Sequence, residues 1–216
     1  MTHLGFNVIH LPEYVFKTPT TITISGSTGS GKTTLVKRIL QTPSLFSKPP
    51  DRIIYNYGVW QEAFNNMTNI DFRKGVDIPE VDISQHTLIL FDDLMHEITS
   101  SKEAQDLFCL GSHHKNITII FIVQNLYVQG RFAKTIMMNV HYMIVMNNAR
   151  DVHQIKNLGR QLGLGTTVEE AYNDCMKQPY GYLLITLSPH HITNDSTVSL
   201  RLRSGIFPGD VQFVYI

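Results

Sequence analysis

Thr21-Ile-Thr-Ile-Ser-Gly-Ser-Thr-Gly-Ser-Gly-Lys-Thr-Thr34 is the stretch whose reading decides the fold. Its first four residues alternate β-branched side chains and predict a strand. The strand runs directly into Gly26-Ser27-Thr28-Gly29-Ser30-Gly31-Lys32-Thr33, a complete G-x-x-x-x-G-K-S/T phosphate-binding loop. Leu35, Val36, Ile39 and Leu40 then recur at helical spacing. The motif therefore has the strand–loop–helix setting that its chemistry requires.

Gly26, Gly29 and Gly31 allow backbone conformations closed to other residues, so successive N–H groups can turn toward one anion. A helix starting near Lys32 adds the positive end of its dipole at the same point. Lys32 has the reach for β- and γ-phosphates, and the Thr33 hydroxyl suits Mg²⁺. Residues 26–34, Thr34 included, are thus the expected nucleoside triphosphate site, with ATP and Mg²⁺ as its contents.

A chain of 216 residues can bury a substantial core, and 43% hydrophobic with 17% charged residues is ordinary globular composition. Lys+Arg and Asp+Glu are both 18. Bulk charge therefore gives no case for nucleic-acid binding, and any such surface has to be local or made by assembly. Cys109 and Cys175 sit in apolar helical patterns, which suggests buried thiols in a reducing compartment. With no leader-like opening and no apolar run of membrane-spanning length, the expectation is a soluble intracellular protein without a membrane partner.

Outward from the loop, residues 1–19 read as an N-terminal arm or strand and 20–216 as one domain. Arg52–Tyr57 predicts a second strand, and 58–86 is the least readable part, with a short helix near Trp60–Met67 and a Gly/Pro-punctuated segment at 73–79. Thr87-Leu-Ile-Leu-Phe-Asp-Asp93 and Ile117-Thr-Ile-Ile-Phe-Ile-Val123 are continuous apolar runs, the signature of strands buried on both faces. Between them, Ser100 with Glu103 has capping-box spacing and Gly111 suits a helix exit. Tyr142–Met146 predicts another strand, then come a helix carrying Val152, Ile155, Leu158 and Leu162, and one capped by Thr167 with Glu170. Tyr182–Leu187 and Val198–Leu202 read as late strands. This alternation predicts an α/β fold, a mostly parallel central sheet with helices on both faces.

Asp92-Asp93 ends its strand in two carboxylates. Asp92 suits Mg²⁺, directly or through water, completing a coordination begun at Thr33, and Asp93 suits orienting or deprotonating a water. A plain turn start is the alternative. Gln124, a polar end to an apolar strand, suits the γ-phosphate or the water, against a simple strand-end role; Asn125 is a spare. Arg131 and Arg150 are placed by order as arginines that a neighbouring subunit could insert, though for either one alone a surface or structural ion pair is the better explanation. Gly111-Ser-His113-His114 reads as a polar turn rather than a metal site, because adjacent histidines diverge. Arg201 and Arg203 share strand parity and suggest a local basic patch or simply solvated residues.

Gly26–Thr33, Leu88–Asp93 and the Ile122-Val-Gln-Asn125 strand end resemble the FtsK/HerA branch of P-loop ATPases. The run 111–125, with Asn139-Val-His-Tyr142, Asn148-Ala-Arg-Asp151 and Gly159-Arg-Gln161, resembles more specifically the genome-packaging ATPases of Polinton/Maverick-type elements and related DNA viruses. This resemblance implies a RecA-like P-loop NTPase core in which the Gln124 strand lies between the P-loop strand and the Asp92 strand. It also implies a homo-oligomeric ring, a pentamer or hexamer, hydrolysing ATP between subunits and threading double-stranded DNA toward a capsid or portal vertex in an infected cell, past a pore-loop region that by elimination alone falls at 58–86. The alternatives are a HerA-like cellular or plasmid DNA translocase and, behind it, a P-loop small-molecule or nucleotide kinase. Lys32, Asp93 and Gln124 would then be catalytic, with Arg131 or Arg150 acting in trans. Relatives usually carry Glu where Asp93 stands, which leaves room for another catalytic acid.

Overall fold

The computed structural model describes residues 13–148, 152–188, 194–195, 198–199 and 201–215. In chain order the strands are β1 (Thr21–Ser25), β2 (Arg52–Tyr57), β3 (Asp71–Lys74), β4 (Thr87–Asp92), β5 (Ile117–Val123), β6 (Tyr142–Met146), β7 (Tyr182–Thr186), β8 (Asn194–Asp195), β9 (Val198–Ser199), β10 (Leu202–Ser204) and β11 (Phe213–Tyr215). The helices are α1 (Lys32–Leu40), α2 (Met95–Ser100), α3 (Lys102–His114), α4 (Ala133–Met138), α5 (Val152–Gln161) and α6 (Thr167–Cys175). Short 3-10 turns lie at Pro43–Leu45 and Glu62–Asn66.

β1 sits at the centre of the main sheet, whose order is β11-β10-β7-β6-β1-β5-β4-β2-β3. From β6 to β3 all pairs are parallel, while β7, β10 and β11 extend the sheet antiparallel. The expected order holds: β5, which ends before Gln124, lies between β1 and β4. β1, β4 and β5 are buried along their whole length, as their continuous apolar runs demand.

Alternation along the strands sorts side chains into two layers. On one face Ile22, Ile24, Leu88, Leu90, Ile120 and Ile122 pack under α1 through Leu35, Val36 and Ile39. On the other, Ile89, Phe91, Ile119 and Phe121 pack under α3 and α4, and Met143 and Val145 under α5 and α6. Helices thus cover both faces. Residues 1–12 of the expected arm lie outside the described residues. Phe16 is fully buried, bridges to Phe46 and meets the Tyr142 ring edge-on at 5.2 Å.

Several local expectations are corrected. The segment at 73–79 begins inside β3, an edge strand whose Arg73 pairs with Asp71 and Asp77. The Trp60–Met67 helix is reduced to the 3-10 turn at Glu62–Asn66. Ser101, not Ser100, caps α3, accepting the Ala104 N–H at 3.0 Å while its hydroxyl donates to Glu103 at 2.9 Å. Ser100 is instead the last residue of α2. Gly111 and His113-His114 lie within α3 rather than in a turn; Gly111 faces Leu107 and Ile117. The α6 cap position falls on Thr166, without a side-chain cap bond. Cys175 is buried as expected, but Cys109 only partly. The Val198–Leu202 pattern is divided, β9 pairing with β8 and β10 with β7. Arg201 and Arg203 form no basic patch. Arg201 lies outside the strand and donates to the Leu162 carbonyl, whereas Arg203 is buried, 6% exposed, and reaches the Val15 carbonyl at 3.4 Å. Among the described residues no helix is long and apolar enough to cross a membrane.

Candidate functional site

The loop leaving β1 is tied to the C-terminal ends of both flanking strands. The Gly26 N–H donates to the Val123 carbonyl at 3.3 Å, and the Ser27 N–H and hydroxyl both donate to the Asn147 carbonyl, at 3.1 and 3.0 Å. Gly29 and Gly31 take φ values of 80° and 97°, in the left-handed region that favours glycine. Gly31 is also the N-cap of α1, with no side chain covering the first-turn N–H groups. The Lys32 ammonium donates to the carbonyls of Gly26 at 2.6 Å and Ser27 at 2.9 Å. Burial pulls its pKa down, partly offset by the carboxylates of Asp92 and Asp93.

Asp92, the last residue of β4, is 5% exposed and lies on the α1 face of the sheet. The Tyr55 hydroxyl donates to its Oδ2 at 2.8 Å and the Gln61 amide to the same oxygen at 3.3 Å. Burial pushes the Asp92 pKa up, opposed by the Tyr55 hydrogen bond and the Lys32 charge. The Thr33 hydroxyl donates to Gln61 Oε1 at 2.9 Å, so a single amide connects Thr33 to Asp92. Hydroxyl and carboxylate are hard oxygen donors facing one another through that amide, a donor set that fits Mg²⁺. Among the described residues no group of three or more His, Cys, Asp or Glu is placed to hold a metal ion, and the His113 and His114 side chains are outside that description.

Asp93 is exposed and turns out of β4 with φ 57°. Gly58 fits against this turn: a Cβ there would meet the Asp93 carbonyl oxygen at 2.4 Å. A cavity of about 250 Å³ opens beside it, lined by Lys32, Asp92, Asp93, His96, Glu97 and Gln124. Lys32, Asp92, Asp93 and Gln124, far apart in sequence, are thus brought to one cavity. Gln124 is exposed, and its carbonyl accepts from the Asn148 amide at 3.4 Å.

Arg131 does not line this cavity. It is exposed, with its guanidinium 5.1 Å from the Phe132 ring centroid. Arg150 lies outside the described residues. Sequence reasoning missed Tyr55, Gln61, Glu97 and Tyr180. Glu97 lies in the first turn of α2 and is a third carboxylate at the cavity wall, beside Asp92 and Asp93. Tyr180, at φ 56°, packs its ring against Gly31, where a Cβ would come within 2.8 Å. It lines a larger cavity of about 710 Å³ that starts at Gly31 and Thr34 and continues past Leu35, Met146 and Tyr182.

This architecture has a counterpart among solved structures. The genome packaging NTPase B204 from Sulfolobus turreted icosahedral virus 2, in complex with ATP-gammaS, superposes with a TM-score of 0.51 at 11% identity, over 77% of this chain and 92% of that one. The chain has the fold of that NTPase. The AMPPCP complex of B204 gives a TM-score of 0.48 at 10% identity, over 77% and 92% of the two chains. EssC (ATPases 2 and 3) from Geobacillus thermodenitrificans gives 0.46 at 12% identity, over 91% of this chain and 39% of EssC. No family model and no curated protein matches the sequence.

Proposed function

We propose that this chain is an ATP-hydrolysing DNA translocase that drives double-stranded DNA into a viral capsid. The observation that carries the reading is the meeting of Lys32, Asp92, Asp93 and Gln124 in one cavity beside the phosphate-binding loop. The N–H groups of residues 26–34 take the phosphates, and Lys32 moves from its loop carbonyls to the β- and γ-phosphate oxygens. Thr33 and Asp92 would hold Mg²⁺, which would supply positive charge to the phosphates. Asp93 takes a proton from a water that attacks the γ-phosphorus, Gln124 orients that water, and the bond to the β–γ bridging oxygen breaks to give ADP and phosphate. The cavity along Gly31, Thr34 and Tyr180 takes the nucleoside.

Hydrolysis is coupled to DNA through assembly, because the net charge of zero gives a single copy no bulk attraction for duplex. In a pentameric or hexameric ring, exposed Arg131 supplies positive charge to the neighbouring site, with Arg150 the other candidate. The shared fold with a protein described as a genome packaging NTPase supports this function over other uses of a P-loop. The test is ATP turnover of the wild type, Lys32→Ala and Asp93→Asn, with and without duplex DNA. Turnover that rises with DNA and falls by at least about a hundredfold in both variants is expected. Unchanged turnover in both variants, with no DNA stimulation, overturns the reading.

A further inference from the structure

Gln61 carries no recognisable motif, yet both ends of its amide are engaged at the site. Its Oε1 accepts a hydrogen bond from the Thr33 hydroxyl at 2.9 Å and its Nε2 donates to Asp92 Oδ2 at 3.3 Å. Two consequences follow from the donor inventory of these groups. A threonine hydroxyl that donates to Gln61 turns its lone pairs elsewhere, the orientation that a metal ligand needs. Asp92 receives its two side-chain donors, Tyr55 and Gln61, on the same oxygen, leaving Oδ1 as the oxygen for a cation. Gln61 is itself firmly held. Its carbonyl accepts the Phe64 N–H at 3.0 Å, Phe64 is buried, and Trp60 packs edge-on against Tyr57 and Phe64, both with ring centroids 5.3 Å away.

We propose that Gln61 is a positioning residue for the Mg²⁺ site, a single amide that orients the Thr33 hydroxyl and the Asp92 carboxylate toward one cation. This rests on the Mg²⁺–nucleotide reading above. Groups one step behind a metal's ligands set ligand orientation, and their loss typically weakens metal binding by about 10–100-fold. Around Gln61 the rings of Tyr57, Trp60, Phe64 and Phe72 pack on one another, which anchors the backbone that carries the amide.

The test separates metal from nucleotide. Gln61→Met keeps length and volume while removing both polar ends. The Mg²⁺ concentration that half-saturates ATP-gammaS binding is expected to rise about tenfold or more, while ATP-gammaS binding in excess EDTA stays as in the wild type. With Mn²⁺ as probe, the electron paramagnetic resonance spectrum of the nucleotide complex is expected to change. Gln61→Glu keeps the acceptor for Thr33 but faces Asp92 with a second acceptor, and is expected not to restore the wild-type metal requirement. Emission from Trp60, the only tryptophan, reports whether the segment stays folded. If Gln61→Met loses that emission, Gln61→Asn, polar but one methylene short, makes the same comparison. An unchanged Mg²⁺ requirement and Mn²⁺ spectrum overturn the proposal, as does an equal loss of binding with and without metal. A wild-type chain that binds no ATP-gammaS fails before any variant is made; that outcome removes the nucleotide reading, and this proposal with it.

Discussion

The Tyr55 hydroxyl donates at 2.8 Å to Oδ2 of Asp92, pairing a β2 side chain with the carboxylate that ends the adjacent, parallel β4. Both groups are buried, and the bond favours the charged form of Asp92 against the burial that opposes it. Burial and the neighbouring carboxylate push the Tyr55 pKa far above its ordinary value, and the phenol stays a donor at every working pH. Tyr55→Phe removes a contact that favours ionised Asp92, so the Asp92 pKa rises further and a proton competes with Mg²⁺ at higher pH. The acid limb of Mg²⁺-dependent ATP binding is expected to move to higher pH, with a stability loss of about 1–2 kcal/mol. Binding titrations across a pH series, with denaturant melts, check both.

Asp92 itself opposes folding where it is ionised. Its folded pKa is raised by burial, so its stabilising contribution is complete below the ordinary carboxylate range and is lost as pH rises through the raised folded value. Asp92→Asn has no such titration and still accepts from Tyr55 and Gln61. Without Mg²⁺ or nucleotide it is expected to unfold at higher denaturant than the wild type at neutral pH. The gap should close in acid. A difference that grows toward acid contradicts the assignment.

Tyr180 offers an aromatic face at the mouth of the cavity that begins at Gly31, with 74% of its surface exposed. Stacking of a base on an aromatic ring is worth about 1–3 kcal/mol. Tyr180→Ala is therefore expected to weaken ATP binding about tenfold while leaving inorganic tripolyphosphate binding unchanged. Competition between the two ligands in wild type and variant measures the difference directly.

Arg203 is a buried cation whose Nε has no hydrogen-bond partner and which meets no carboxylate among the described residues. Burial pulls its pKa down. Replacing such a charge with an apolar side chain of similar length is commonly neutral or stabilising. Arg203→Met is expected to match or exceed wild-type stability, by about 1 kcal/mol, in thermal and chemical melts.

What the sequence revealed follows from how locally each feature is encoded. The P-loop, β4 and β5 are written in contiguous residues, and the order β1-β5-β4 followed from the resemblance that those residues carry. β3 was not legible because Asp71 and Arg73 make an edge strand look like a charged loop. The α3 cap slipped by one position because Ser100 and Ser101 are neighbours and only geometry chooses between them. Gln61 and Tyr55 were invisible for a different reason. They lie 31 and 37 residues from Asp92, and nothing in a linear pattern ties an amide or a phenol to a carboxylate at that distance. Asp93 was legible as a position, while its left-handed turn against Gly58 was not.

Lys32 holds two carbonyls of its own loop, and Asn147 holds the loop from outside. The lysine is therefore a cross-link as well as a charge. On the proposed nucleotide reading, phosphate entry would exchange one set of partners for another, and association is expected to carry little conformational entropy cost and a modest heat-capacity change. Any loss of affinity in Lys32→Ala mixes a missing ammonium with a loosened loop. Amide hydrogen exchange across residues 26–31 tells the two apart: faster exchange in the variant, measured without nucleotide, is the portion that belongs to the lost cross-link.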